Sequence, residues 1–208
     1  MSIGTVIYGP RYCGKTSFAE TIDKNVVWFS TIGNQDTWKD FKNIVETLTK
    51  KDKYIVIDGI GKMTDLCTDY ICEQEDEEHP QLAGNRKSLI YRKIKEEAKD
   101  VFFALHENSE HVFYLAEMET KNLDSSLYKG TFMYPKFDWV LEDIMPHITQ
   151  QTICMAPSYT TVKRKSKLTG DVELIRKEKR IMICSARPDI YAGDSTGKLP
   201  KEFDAGAV

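Results

Sequence analysis

Short apolar runs alternate with longer stretches of helical period through the first 120 residues. Gly4-Thr5-Val6-Ile7-Tyr8 reads as a buried strand, and Ser17 to Ile22 continues as a helix. Val26-Val27-Trp28-Phe29-Ser30 is a second short strand. Thr37 to Lys50 then places Trp38, Phe41, Ile44, Val45 and Leu48 on one helical face. Tyr54-Ile55-Val56-Ile57-Asp58-Gly59 is a strand that ends in an acid. Thr64 to Cys72 and Arg86 to Asn108 read as helices, and His111 to Ala116 returns to strand. Alternation of this kind predicts an α/β fold, a mainly parallel sheet with helices on both faces.

The final third changes pattern. Thr152 to Ala156 and Thr160 to Arg164 are followed by turn chemistry at Leu168-Thr169-Gly170-Asp171. Val172 to Ser185 then reads as a return strand, giving a C-terminal β-hairpin that extends the sheet. Leu123 to Pro146 is rich in aromatics and poor in period, and reads as a long loop. No internal repeat is visible. The expected organisation is a single domain, 1–208, with a core at 1–120, a long loop region at 121–150, and a hairpin and C-terminal segment at 151–208.

The junction of the first strand and helix carries the chemistry. Gly9-Pro10-Arg11-Tyr12-Cys13-Gly14-Lys15-Thr16 matches G-x-x-x-x-G-K-[ST], the phosphate loop, between a strand and a helix as that motif requires. Its backbone N–H groups turn inward toward phosphate oxygens, and the helix start adds partial positive charge. Gly9 through Ser17 are the expected nucleotide-binding residues. Lys15 is expected to reach the β- and γ-phosphates, and the Thr16 hydroxyl to ligate Mg²⁺. Asp58, 43 positions after Lys15 at the end of an apolar strand, has the profile of a Walker-B acid facing that Mg²⁺. Hydrolysis also needs a group to orient the attacking water. Glu117 and Glu119 follow the His111–Ala116 strand, two apart and therefore on one face. Gln35 and Asp36 are further candidates for the same work.

Composition narrows the class. Of 208 residues, 41% are hydrophobic and 29% charged, which fits a globular chain with a substantial core. No apolar run approaches the roughly 20 residues of a membrane span. Met1-Ser2-Ile3-Gly4 has no basic segment followed by an apolar one, so no signal peptide is expected. Five scattered cysteines suit reduced thiols in a cytoplasmic setting. Cys67, Cys72 and His79 lack the second ligand pair of a zinc site. The net charge of −3 does not advertise nucleic-acid binding, but charge is unevenly placed. Glu73 to Glu78 is acidic, whereas Lys163-Arg164-Lys165-Ser166-Lys167 and Arg176-Lys177-Glu178-Lys179-Arg180 are basic. Tyr128 to Trp139 interleaves aromatics with lysines, the composition of a loop that stacks single-stranded bases.

The phosphate loop, the strand ending at Asp58-Gly59 and the sequel Met63-Thr64-Asp65-Leu66-Cys67-Thr68-Asp69-Tyr70 resemble phage-type RecA-like AAA ATPases. Glu78-His79-Pro80, Ala186-Arg187-Pro188-Asp189 and Gly197-Lys198-Leu199-Pro200 extend the resemblance over most of the chain. It implies a RecA-like P-loop NTPase core, ATP and Mg²⁺ as cofactors, and work in phage or prophage DNA recombination, replication or repair in a bacterial host cytoplasm. Single-stranded DNA and further copies of the chain are the implied partners, with the Tyr128–Trp139 segment and the basic hairpin facing DNA. Two departures bear on turnover. Relatives commonly carry a His-Glu pair where this chain has Glu117-Met118. They also often carry a Lys and an Arg where it has Tyr191-Ala192-Gly193-Asp194-Ser195, which leaves Arg187 or Lys198 as substitutes. A P-loop nucleoside kinase, and an ATP-binding assembly module with little turnover, are the competing readings.

Overall fold

The computed structural model describes residues 2–22, 26–31, 37–48, 54–76, 87–124, 129–165 and 172–205. Strand β1 (Ile3–Gly9) carries Val6, Ile7 and Tyr8 fully buried in succession. A strand apolar on consecutive positions must be covered on both faces, which places it at the centre of a sheet. Around it run β2 (Val27–Ser30), β3 (Tyr54–Asp58), β4 (His111–Asp124) and β6 (Gln151–Lys165), in the order β2-β3-β4-β1-β6, every pair parallel. Strand β7 (Val172–Ile183) pairs antiparallel with β6, and β9 (Glu202–Asp204) closes that edge against β7. The two-residue β8 (Gly193–Asp194) and β5 (Lys129–Pro135) add to β6 and β4.

Helices flank the sheet unequally. On one face, α2 (Trp38–Thr47), α3 (Met63–Glu75), α4 (Lys87–Glu107) and α5 (Trp139–Ile148) pack on Val6, Tyr8, Ile55, Ile57 and Tyr114. Phe29, Trp38, Phe41 and Phe102 form a chain of tilted and edge-on ring contacts there, from 4.8 to 6.3 Å between centroids. Thr37 and Asp40 start α2 with a reciprocal capping box. The opposite face is covered by α1 (Lys15–Ala19) with Phe18 and Ile22, and by Leu199 and Phe203 of the C-terminal segment. Among the described residues, no helix is long and apolar enough to cross a membrane.

The expected loop at 121–150 is corrected by the structure. Strand β4 runs on to Asp124, β5 returns beside it, and α5 follows. Asp138 starts α5 by accepting from Val140 N and Leu141 N, 3.1 Å each, and Val140, Leu141, Ile144, Met145 and Ile148 face the core. Pro146, in the last turn, does not interrupt it. Helix α1 is shorter than its sequence suggested, ending at Ala19. The turn at Leu168–Asp171, Gln35, Asp36, His79 and Tyr128 lie outside the described residues.

From Met155 onward β6 pairs only with β7, and from Met118 onward β4 pairs only with β5. Both two-stranded arms leave the sheet at the carboxyl end of β1. The β6–β7 arm is roughly 35 Å long at 3.3 Å per residue. The Tyr8 hydroxyl ties the base of the other arm down, donating to the carbonyls of Met133 at 3.1 Å and Tyr191 at 2.7 Å.

At the other end of the sheet, the His106 ring lies against Gly4 and meets the Tyr114 hydroxyl at 2.7 Å. Burial lowers its pKa to about 4. An unfolded histidine titrates near 6.5, so the unfolded state takes up this proton first as pH falls. Stability is therefore expected to be intact above about pH 6.5 and to drop by about 3 kcal/mol as pH falls to about 4. Urea unfolding at stepped pH measures this. His106→Gln, which keeps an acceptor without titrating, is expected to flatten that slope.

Candidate functional site

The phosphate loop closes between β1 and α1. Two glycines make it possible. A Cβ on Gly9 would overlap the Met155 carbonyl oxygen and sit 2.9 Å from Cys13 Sγ, so only glycine lets β6 lie against the loop. Gly14 has φ 87° in the left-handed region, and a Cβ there would lie 2.6 Å from the Arg180 Cζ. Tyr12 also has positive φ, 62°, with its ring 98% exposed. A bulky residue in that region is strained by about 1–3 kcal/mol, and such strain concentrates where a backbone is shaped for a ligand.

Inside the loop, Lys15 Nζ donates to the carbonyls of Gly9 at 3.0 Å and Pro10 at 2.9 Å. The ammonium thus lies across the bowl that the loop forms. Thr16 Oγ1 donates to Asp58 Oδ2 at 2.8 Å. Asp58 is 7% exposed, on the α1 side of the sheet, at the end of β3. Thr31 fixes that strand end, its hydroxyl donating to the Gly59 carbonyl at 2.7 Å and its N–H to the Asp58 carbonyl at 3.0 Å. A hydroxyl and a carboxylate in contact at the mouth of a phosphate loop are hard oxygen donors. They suit Mg²⁺, which takes few protein ligands and keeps several waters. The donor set fits this ion.

The sheet order decides which acid stands beside the loop. Strand β4 lies between β1 and β3, and Gly9 is in register with Glu117. Glu117 therefore flanks the loop. Its Oε1 accepts from Arg11 Nε at 2.8 Å, and both side chains are largely open to solvent. The hydrogen bond from Arg11 holds the Glu117 carboxyl below the usual range. Glu119 lies further along the arm, across from Tyr134, with which it interacts. The structure thus brings Gly9 to Ser17, Asp58 and Glu117 together, and leaves Glu119 apart.

Several other sequence expectations resolve here. Arg187 is ion-paired with Glu202. Lys198 acts electrostatically on His111, at the start of β4 and away from Glu117. Trp139 starts α5 and meets the Tyr91 ring edge-on at 4.6 Å, so it belongs to the helical face rather than to an exposed loop. The Tyr134 ring carries the Lys121 ammonium 4.5 Å from its centroid. Among the described residues no cluster of three His, Cys, Asp or Glu could hold a metal. Cys67 is buried, its thiol 3.7 Å from the Ile94 carbonyl and its pKa pushed up by burial. Sequence reasoning missed the Arg11–Glu117 pair and the approach of Arg180 to Gly14. Each joins residues far apart in the chain.

A family model described as an AAA domain matches residues 2–196. Among solved structures, a KaiC-like protein from the hyperthermophilic archaeon Pyrococcus horikoshii OT3 is similar, with 13% identity and a TM-score of 0.41 over 87% of this chain and 78% of that one. No curated protein matches the chain. With a phosphate loop of the required geometry, and a family match over most of its length, the chain belongs to the AAA domain family of ATP-binding P-loop proteins.

Proposed function

We propose that this protein is a Mg²⁺-dependent ATPase of RecA-like type that acts on DNA in recombination, replication or repair in a phage or prophage, working as a homo-oligomer. The observation that carries the reading is the grouping of Lys15, Thr16, Asp58 and Glu117 around the loop that follows β1, at one end of the parallel sheet. In this reading Lys15 holds the β- and γ-phosphates, and the loop N–H groups orient them. Thr16 and Asp58 are the residues that would hold the metal. Glu117 orients the attacking water and takes its proton at a carboxylate oxygen, so ATP and water give ADP and phosphate. Magnesium, when bound, neutralises charge on the phosphates.

The DNA side of the reading rests on the two arms, which leave the sheet at the phosphate-loop end. The longer one carries Lys163-Arg164-Lys165 and Arg176-Lys177 in its sequence. A basic arm gathers a phosphate backbone even when net charge is −3. One observation favours a second reading, an ATP-binding assembly module with little turnover: the Arg11 guanidinium donates to Glu117 and engages its carboxylate.

Phosphate release from ATP and Mg²⁺, with and without single-stranded DNA, separates these readings. Several-fold stimulation by DNA is expected, and Lys163→Glu is expected to reduce it and to lower the salt slope of DNA binding by about one. Turnover indifferent to DNA rejects the DNA role. Transfer of phosphate to a nucleoside identifies a kinase instead. Tight ATP binding without turnover, with or without DNA, identifies the assembly module.

A further inference from the structure

The guanidinium of Arg180 lies against Gly14, close enough that any Cβ there would overlap it, with Cζ 2.6 Å and Nη2 3.2 Å from that position. Arg180 is half-buried on β7, and the Ala205 N–H donates to its carbonyl at 2.9 Å, which holds its strand against the C-terminal segment. Among the described residues it makes no ion pair. Its neighbour Lys179, by contrast, is paired with Asp204.

Next to Arg180 opens a cavity of about 340 Å³. Gly14, Ser17 and Phe18 form its wall on the loop and α1 side, and Met155, Arg180 and Asp204 the wall across from them. That volume is at the small end of ligand sites. A planar cation that has no carboxylate partner among the described residues, packed on the glycine that precedes Lys15, suits a polyanion better than solvent. Guanidinium groups bind phosphate oxygens with paired, parallel hydrogen bonds.

We propose that Arg180 is a phosphate ligand of the nucleotide site, supplied by the same chain from the root of the β6–β7 arm. This rests on the phosphate-loop reading above. Arg180 meets the phosphate chain from the cavity side, while Lys15 meets it from inside the loop. It thereby supplies a cation that the Tyr191–Ser195 segment lacks, from a different strand.

Calorimetric titration with ATP and with inorganic tripolyphosphate, each with Mg²⁺, tests the assignment on wild type, Arg180→Met and Arg180→Lys. Methionine keeps most of the aliphatic stem that covers Gly14 while removing the charge. Affinity for both ligands is expected to fall about 10- to 100-fold in Arg180→Met, the range for a hydrogen bond to a charged group, with part regained in Arg180→Lys. Unfolding of the ligand-free proteins checks that all three are folded; if methionine is not tolerated, the lysine variant is expected to bind both ligands more weakly than wild type. Wild-type affinities in both variants overturn the assignment. So does a loss confined to ATP with tripolyphosphate unaffected, which would put Arg180 on the nucleoside. Wild-type protein that binds neither ligand overturns the phosphate-loop reading, and this one with it.

Discussion

Lys15→Ala is expected to weaken ATP binding by about two to four decades and to abolish turnover. The ammonium donates to two neutral carbonyls, those of Gly9 and Pro10. Carbonyls orient a cation without neutralising it, so the charge sits across the bowl, ready for phosphate oxygens. Little side-chain entropy remains to be lost when they arrive. Removing Lys15 deletes two charge-assisted contacts, each worth about 1.5–3 kcal/mol. The same substitution is expected to change unfolding by less than about 1 kcal/mol, because the side chain is only partly buried. Titration calorimetry with ATP, alongside urea unfolding of the apoprotein, measures both. Unchanged ATP affinity in a folded Lys15→Ala protein would sink the proposed role of this loop.

What the sequence revealed, and what it hid, follows from how each feature is encoded. The phosphate loop was legible because backbone geometry demands glycine at fixed offsets. Gly9 admits the Met155 carbonyl, and Gly14 combines a left-handed turn with the approach of Arg180. Asp58 was legible for a related reason, since a polar residue closing a buried apolar strand advertises itself. The parallel core followed from runs such as Val6-Ile7-Tyr8, which need cover on both faces.

Other features depend on pairing between distant segments. Glu117 and Glu119 share a strand face and look equivalent in sequence. Only the register of Gly9 with Glu117, and of Glu119 with Tyr134, separates them. Arg180 is one cation among several in a basic run, and nothing local marks it as the one that reaches Gly14. The helix α5 is a different case, because its signal was present. Asp138 is a good N-cap, and Val140, Leu141, Ile144, Met145 and Ile148 have helical spacing. The aromatics before it and Pro146 in its last turn obscured a period that packing then enforced.

The two variants that bear on hydrolysis itself are Glu117→Gln and Arg11→Met. If Glu117 takes the proton of the attacking water, the glutamine variant is expected to bind ATP nearly as wild type while turnover falls about 10²- to 10⁴-fold. Glutamine can still accept from Arg11, so the loop is not released, and any loss belongs to proton transfer. Arg11→Met acts in the opposite direction on the same pair. Arg11 lowers the Glu117 pKa, chiefly through its hydrogen bond. A depressed pKa keeps the carboxylate ionised to lower pH but makes it a weaker base. Removing Arg11 raises that pKa, so the acid limb of the pH–rate profile is expected to move to higher pH. If the pair restrains turnover, basal phosphate release at neutral pH also rises, and DNA stimulation shrinks. Steady-state rates from about pH 3 to 8 on the three proteins, a window that spans the carboxylate range, separate these effects. An acid limb that stays in place in Arg11→Met assigns the water-orienting role elsewhere. A fall in turnover with no shift of that limb makes Arg11 a ligand of the phosphates rather than a restraint on Glu117.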